Sequence, residues 1–159
     1  MGIPENDYQI LKLTNLFYQK YPNPPFVEIM NKNNRAYSCL LFQSHYDYFI
    51  CVPYRTEISH KYAFHFKKTK RSRIHKSGLD YTKIIIISNG DFIDDKDALI
   101  DKDEYKETVR NIEKIKKDAL EYVEKYIEHV KGVKCMHERE FARKYSYSTL
   151  KYFHKEMGL

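Results

Sequence analysis

Three apolar runs separated by short polar turns constrain the fold of this chain more than any other feature. The runs read FVEIM, AYSCLLF and YFICVP and lie within residues 26–53. The asparagines of NKNNR, between the first two runs, tolerate the left-handed backbone of a hairpin turn, and SHYD separates the second run from the third. Short turns join antiparallel strands, whereas parallel strands need long crossovers. We therefore predict an antiparallel meander that ends at Pro53.

Outside the meander, hydrophobic periodicity predicts mainly helices. Apolar side chains recur at helical spacing over residues 7–20 and over a long amphipathic stretch at residues 101–131, and shorter helices are expected near 136–144 and 147–156. The run KIIIIS at residues 83–88 is instead typical of a buried strand. The expected fold class is α+β: a twisted, mostly antiparallel β-sheet wrapped by about four helices, including one long helix in the C-terminal half.

Composition indicates a folded single domain. A hydrophobic share of 42% and an aromatic share of 15% exclude a disordered chain, and 159 residues suit one domain over residues 1–159. The start MGIPENDY lacks the basic region and apolar run of a signal peptide, and no apolar run is long enough to cross a bilayer. We expect a cytoplasmic protein without membrane association. The three cysteines form no CxxC pair, so no disulfide framework is expected.

The sequence contains no motif for a metal or a cofactor. An EF-hand loop needs carboxylates at alternate positions, a glycine at the sharp turn and a closing glutamate, and among the aspartates between positions 91 and 103 no glycine follows Asp95 at the required spacing. The histidines form no HExxH motif, and the five glycines supply no phosphate-binding loop. We expect chemistry without metal or cofactor, and we expect the aspartates to cap the long helix and complement its dipole.

Positive charge is concentrated in residues 53–76, which we call the basic segment. Eight basic residues against one acid give the segment a charge of +7, and 28 basic against 22 acidic residues give the whole chain +6, so the remainder carries about −1. Its cations alternate with Tyr54, Tyr62, Phe64 and Phe66. Cations neutralise phosphates and aromatic rings stack on unpaired bases, whereas no recognition helix for duplex DNA is present. The segment predicts binding to unpaired RNA, with a solvated charged loop as the alternative.

Residues 55–61, Arg-Thr-Glu-Ile-Ser-His-Lys, combine the groups that metal-free RNA cleavage requires. The RNA supplies its own nucleophile, the 2′-hydroxyl, and the protein has to align it, move two protons and stabilise charge. His60 could exchange protons near neutral pH, while Thr56 and Ser59 could hydrogen-bond phosphate oxygens. A histidine in a basic loop is more often plain polar surface, so this motif alone leaves the activity open.

Four segments in this order resemble a known family: YPNPPFVEI, NRAYSCLLF, YFICVPYRTEISHKYAFHF and SGLDYTKIIII, followed by a long charged helix. They are similar to toxins of type III toxin–antitoxin systems, the ToxN/AbiQ superfamily, in particular its CptN and TenpN branches. The resemblance implies a sequence-specific, metal-independent endoribonuclease that leaves 2′,3′-cyclic phosphate and 5′-hydroxyl ends. It also implies an RNA antitoxin of pseudoknotted repeats, which the toxin cuts from a precursor and binds in a closed assembly. Some branches defend against phage by abortive infection.

The resemblance also assigns roles to individual residues. Thr56, Ser59 and His60 correspond to the catalytic site after the proline turn, with His60 as base or acid and the two hydroxyls on the scissile phosphate. The other expected catalytic residues are Arg35 or Lys67 for charge stabilisation, His65 as reserve proton donor and Tyr62 to position the ribose. The residues expected to bind the RNA backbone are Arg55, Lys61, Lys68, Lys70, Arg71, Arg73 and Lys76. The ToxN branch itself uses serine and lysine where this chain has Thr56 and His60.

Two other functions remain open at this point. A non-catalytic RNA-binding module would use the same basic segment and aromatic rings, but its function would survive replacement of His60 by alanine. A protein-interaction domain would pair its long helix with a partner, which requires an exposed apolar face on that helix.

Overall fold

The computed structural model describes residues 8–30, 37–44 and 46–159, and the fold is given for these residues. Within them, six strands form one antiparallel sheet accompanied by five α-helices, which confirms the predicted α+β class. The strands are β1 (Tyr8–Lys12), β2 (Ser38–Gln43), β3 (Phe49–Arg55), β4 (Ala63–His65), β5 (Gly78–Asp80) and β6 (Ile85–Ile87). The helices are α1 (Asn15–Lys20), α2 (Lys70–Ile74), α3 (Lys102–Arg110), α4 (Ile112–Val130) and α5 (Glu138–Tyr145).

Strand β3 lies at the centre of the sheet and carries the candidate site at its end. It pairs with β2 along one edge and with β6 and then β5 along the other, and β1 and β4 form the outer strands. Strand β5 takes over from β6 at Tyr54, next to Pro53, which has no N–H to donate and sits where the ladder on that edge is interrupted. The strand therefore continues to Arg55, and the prediction that it ends at Pro53 is wrong.

Residues 8–20 are partly strand and partly helix. Residues 7–20 are predicted as one helix, but β1 pairs antiparallel with β2 and only Asn15–Lys20 is helical. Ile10 and Leu11 are consecutive in sequence and both are buried, a pattern that fits a strand covered on two faces. The apolar spacing of this stretch suits either structure, and pairing with β2, a non-local interaction, decided between them.

The first strand of the meander is β1 rather than the predicted strand at residues 26–30. Those residues form turns, in which the Ile29 N–H donates to the Phe26 carbonyl at 3.0 Å. Ile29 is nevertheless fully buried, so an apolar run here reflects burial of a loop and not strand formation. The predicted hairpin turn at residues 31–35, and with it Arg35, lies outside the described residues.

The helix predicted at residues 101–131 is interrupted at Asn111, which separates α3 from α4. The Asn111 side-chain amide donates to a carbonyl of the preceding turn at 2.8 Å, and such local bonds compete with the helical backbone. Helix α4 buries Ile115, Ala119 and Val123, spaced four residues apart, and contacts β3. Its apolar stripe therefore packs on the protein's own sheet, and this face is not free for a partner.

Towards the C-terminus the fold is partly as predicted. Helix α5 matches the helix expected near residues 136–144, but the stretch at 147–156 contains only a short 3₁₀ turn, Thr149–Tyr152. Cys39 and Cys51 are buried and free. None of the helices in the described part of the chain is long and apolar enough to cross a membrane.

Candidate functional site

A fully buried carboxylate, Asp80 at the end of β5, organises the candidate site. Its side chain has 0% exposure, because β5 is covered by β3 on one side and β4 on the other. Arg55 Nη1 donates to Asp80 Oδ2 at 2.7 Å, and His60 Nε2 lies 3.2 Å from Oδ1. The Thr82 hydroxyl and N–H both donate to Oδ1, at 2.6 and 2.9 Å. The carboxylate thus holds an arginine and a histidine side by side.

The charge state of Asp80 follows from these contacts. Burial alone raises the pKa of Asp80, but the hydrogen bonds from His60, Thr82 and Arg55 together outweigh burial and lower the pKa to about 2. Asp80 is therefore ionised at neutral pH. A buried anion with these partners orients its neighbours and stabilises positive charge on them, and it does not donate a proton itself.

His60 is oriented by hydrogen bonds at both ring nitrogens. The Tyr62 N–H donates to Nδ1 at 3.1 Å, so Nδ1 is an acceptor and Nε2 carries the proton that faces Asp80. The His60 carbonyl accepts from His65 Nε2 at 2.8 Å, which fixes the loop backbone. The His60 side chain is 29% exposed. This is the tautomer in which Nδ1 can accept a proton while Asp80 stabilises the resulting imidazolium.

The loop between β3 and β4 is anchored at its first half. Ile58 is fully buried and its N–H donates to the Lys76 carbonyl at 2.8 Å. Glu57 has a φ of +57°, a left-handed conformation that is uncommon for residues other than glycine, and its carboxylate contacts His75 Nδ1. The sharp turn at Glu57 brings Ser59 and His60 back toward β5.

His60 opens onto a cleft of about 330 Å³, which we call the His60 cleft. Four cations line it: Arg55, Lys83, Arg143 and Lys144. Lys83 is neutralised by Glu28, with 2.8 Å between Nζ and Oε2, and both side chains are nearly buried. Among the described residues, no carboxylate lies within 4 Å of Arg143 or Lys144. Burial lowers the pKa of Lys144, and the nearby charge of Lys125 lowers it further. Two acids also line the cleft, but Glu28 pairs with Lys83 and Glu57 pairs with His75, so the remaining cations suit an anion.

A second cleft of about 420 Å³ adjoins the first, and Tyr62 and Lys144 line both. It lies between β4 and α4, and we call it the second cleft. Its lining combines aromatic rings with cations at the rim, Lys61, Lys67 and Lys114 among them.

The predicted catalytic residues are divided between these clefts. Ser59, His60 and Tyr62 line the His60 cleft, where they are joined by Arg55, which was expected only to bind the RNA backbone. His65 and Lys67 line the second cleft. Thr56 is half-buried beside the loop and is not among the residues that line the His60 cleft. The structure thus brings three of the expected catalytic residues together in the His60 cleft. The other expected catalytic residues that the structure describes, Thr56, His65 and Lys67, do not line this cleft.

The rest of the basic segment is held by acids of α3. The Lys67 and Lys68 N–H groups donate to the Glu107 carboxylate at 2.9 Å each, and the Lys70 N–H donates to Asp103 at 2.8 Å. Because backbone groups make these bonds, the ammonium groups remain in solvent. The exposed cations of this part are Lys67, Lys68, Lys70, Arg71, Arg73 and Lys76. Arg71 differs from the others, since it pairs with Asp101 at 3.1 Å.

Several residues of the His60 cleft had no part in the sequence interpretation. Asp80 and Thr82 carried a local signal, because an aspartate two residues before a threonine N–H is typical of a tight polar turn. Lys144 and Arg143 come from α5, and Glu28 comes from the segment between α1 and β2. These residues are distant in sequence, and only the tertiary fold brings them to His60.

Within the described residues, no group of three or more histidine, cysteine, aspartate or glutamate side chains is arranged to hold a metal ion. Comparison with known proteins finds no matching family model, no matching curated protein and no matching solved structure.

Proposed function

We propose that this protein is a metal-independent endoribonuclease that cleaves RNA by attack of the 2′-hydroxyl, acting in the cytoplasm as the toxin of a type III toxin–antitoxin system. One observation carries the catalytic part of the proposal: buried Asp80 holds His60 and Arg55 together at a cleft that also contains Arg143 and Lys144. In the described part of the chain, no carboxylate lies within 4 Å of either of these two cations. The toxin part rests on the sequence resemblance to the ToxN/AbiQ superfamily.

The phosphate-binding role falls to the cations of the His60 cleft. Arg55 has guanidinium N–H groups beyond the one that donates to Asp80, and Arg143 reaches the same cleft from α5. Guanidinium groups donate paired hydrogen bonds to phosphate oxygens and stabilise the charge that develops on them during in-line attack. Ser59 adds a hydroxyl on the exposed side of the cleft. In this proposal these groups take the charge-stabilising role expected of Lys67, which lines the second cleft, while Arg35 lies outside the described residues.

The two proton transfers are assigned to His60 and Lys144. His60 Nδ1 exchanges its bond to the Tyr62 N–H for one to the 2′-hydroxyl and takes its proton, while Asp80 stabilises the imidazolium. The 2′-oxygen then bonds to phosphorus as the bond to the 5′-oxygen breaks, and Lys144 protonates that leaving oxygen. The products are a 2′,3′-cyclic phosphate and a 5′-hydroxyl, and no water is consumed. The lowered pKa of Lys144 makes it a better proton donor than an ordinary lysine.

The proposed partners are RNA molecules. The exposed cations of the basic segment would bind the backbone of cellular or phage RNA and of a pseudoknotted RNA antitoxin, which the protein would process and then retain in a closed assembly. Such phosphate contacts release counterions, so affinity should fall as salt rises.

Incubation of the purified protein with mixed-sequence RNA and with DNA of the same sequence, in the presence of EDTA, tests the proposal. We expect cleavage of RNA alone, with cyclic-phosphate and 5′-hydroxyl ends, and loss of cleavage in His60→Ala and Lys144→Ala. Lys134→Ala is the matched control for Lys144→Ala, because this exposed lysine lines neither cleft. Thr56→Ala should retain activity, since Thr56 lies outside the cleft.

A second candidate, a non-catalytic RNA-binding module, is favoured by one observation: both ring nitrogens of His60 are already hydrogen-bonded within the protein. In that case RNA would bind in a salt-dependent way without being cut, and His60→Ala would leave the affinity unchanged. Intact RNA after prolonged incubation with excess protein would favour this candidate over the enzyme.

A further inference from the structure

We propose that the second cleft is the subsite for one unpaired nucleobase of the bound RNA, next to the phosphate in the His60 cleft, and that it favours a base with an exocyclic amino group. The inference rests on the proposed function for the identity of the ligand as RNA. It is carried by the lining of the second cleft and by its connection to the His60 cleft.

The two clefts are close enough to take adjacent parts of one nucleotide chain. Tyr62 and Lys144 line both clefts and form the wall between them. The Tyr62 ring is stacked near the His60 ring, with 6.0 Å between centroids and an interplanar angle of 29°. Lys144 Nζ lies 5.6 Å from the centroid of Tyr122, which also lines the second cleft. A phosphate beside His60 would therefore place its neighbouring base at the mouth of the second cleft.

The walls of the second cleft suit a flat aromatic ligand. Phe64, on the outer strand β4, and Tyr62 are both half-buried, so each ring is partly available at the cleft surface. Exposed aromatic rings beside lysines are the arrangement by which proteins stack unpaired bases and bind the adjoining phosphates. Lys61 and Lys67 provide those cations at the rim.

Two carboxylates line the same cleft from α4 and explain the preference for an amino group. Asp118 pairs with Lys114 at 3.0 Å and Glu121 pairs with Lys125 at 2.8 Å, both within one helix at its surface. Surface ion pairs of this kind are weak and are readily exchanged for a ligand donor. A base that donates from an exocyclic amino group can take the place of the lysine on one of these carboxylates, and adenine, cytosine and guanine each carry such a group.

Binding of short RNAs tests the subsite independently of cleavage. Each RNA would be an oligouridine with one adenine, cytosine, guanine or abasic nucleotide at a single position, with 2′-O-methyl groups to prevent cutting. In the wild type we expect an amino base at one position to tighten binding about threefold to tenfold, the effect of one added hydrogen bond. The double variant Asp118→Asn/Glu121→Gln should abolish that preference, because it removes the two carboxylates that accept from the amino group. Glu113→Gln is the matched control, because this exposed carboxylate of α4 lines neither cleft.

The outcomes separate this proposal from the proposed function. RNA cleavage with no base preference at any position, or with a preference that Asp118→Asn/Glu121→Gln leaves intact, would overturn the subsite and leave the ribonuclease standing. A preference lost only in Asp118→Asn/Glu121→Gln, in a protein that never cuts RNA, would support the subsite and overturn the ribonuclease. No detectable binding of any of these RNAs would overturn both.

Discussion

Two parts of the basic segment hold their charges in opposite ways. Around Asp80 the side chains themselves are fixed: Arg55 and His60 both contact one buried carboxylate. Between residues 67 and 76 the acids of α3 hold the backbone instead, and most of the cations extend into solvent. Fixed charges require no reorganisation when a transition state forms, whereas flexible surface charges mainly add salt-dependent affinity. The comparison therefore assigns chemistry to the first part and RNA attraction to the second.

Replacement of Asp80 by asparagine should produce the largest effect. The change removes the buried negative charge and leaves His60 without an anion to stabilise its imidazolium, so we expect cleavage to fall about 10³-fold. Unfolding free energy should drop by about 2 to 3 kcal/mol, less than for a fully buried pair because Arg55 and His60 are partly exposed. Cleavage rates and urea unfolding would measure both. Asp101→Asn, which removes an exposed carboxylate paired with Arg71, should change neither appreciably.

Gly78→Ala tests whether the fixed arrangement of side chains around Asp80 depends on close packing of β4 against β5. A Cβ at position 78 would lie 2.0 Å from the Phe64 carbonyl oxygen, a backbone atom that cannot move aside without separating the strands. We expect a loss of about 3 kcal/mol in unfolding free energy, measured by urea titration. Gly90→Ala is the control, because nothing lies within 4 Å of the added Cβ. Equal stability of the two variants would contradict the packing of these strands.

The stability of the fold should depend on pH through Asp80. The pKa of Asp80 is about 2 in the folded protein, whereas the usual pKa of an aspartate is 3.8. Ionisation of Asp80 therefore stabilises the folded state. This contribution, about 2.5 kcal/mol at most, is complete above about pH 5 and is lost as the pH falls toward 2. Urea unfolding at pH 6 and pH 3 should show a smaller decrease for Asp80→Asn than for the wild type. Identical decreases would contradict the ionised, hydrogen-bonded state of Asp80.

The exposed cations should give the smallest effect on chemistry. In the double variant Lys68→Ala/Arg73→Ala, we expect weaker RNA binding and a salt dependence whose logarithmic slope falls by about 0.7 for each lost phosphate contact. The cleavage rate at saturating protein should stay within about threefold of the wild type, because neither side chain reaches the His60 cleft. Lys102→Ala, at an exposed lysine on α3, controls for loss of charge elsewhere.

The sequence was informative where structure is local. The apolar runs AYSCLLF and YFICV predicted β2 and β3, and the loop that follows them brought Ser59, His60 and Tyr62 to one cleft. Residues 7–20 were misread because a short apolar stretch satisfies both helical and strand spacing, and pairing with β2 selected the strand.

The remaining parts of the site depend on contacts between distant elements. Asp80 reaches His60 only because β5 pairs with the end of β3, and Lys144 reaches it only because α5 packs beside the loop. Neither contact produces a hydrophobic periodicity or a motif spacing in the sequence from which it could be predicted. Thr56 shows that sequence order alone does not place a residue in the site, because Thr56 follows Arg55 directly but does not line the His60 cleft.

The division between fixed and flexible charges is tested most directly by single-turnover cleavage of RNA in EDTA, with protein in saturating excess. Wild type, Asp80→Asn and Lys68→Ala/Arg73→Ala would be compared on one RNA, and on the same RNA with a single 2′-deoxy nucleotide at the mapped cut. We predict a cleavage rate that falls about 10³-fold in Asp80→Asn, is nearly unchanged in the double variant and vanishes for the 2′-deoxy substrate. Equal rates for wild type and Asp80→Asn, or cutting of the 2′-deoxy substrate at the same position, would contradict the account.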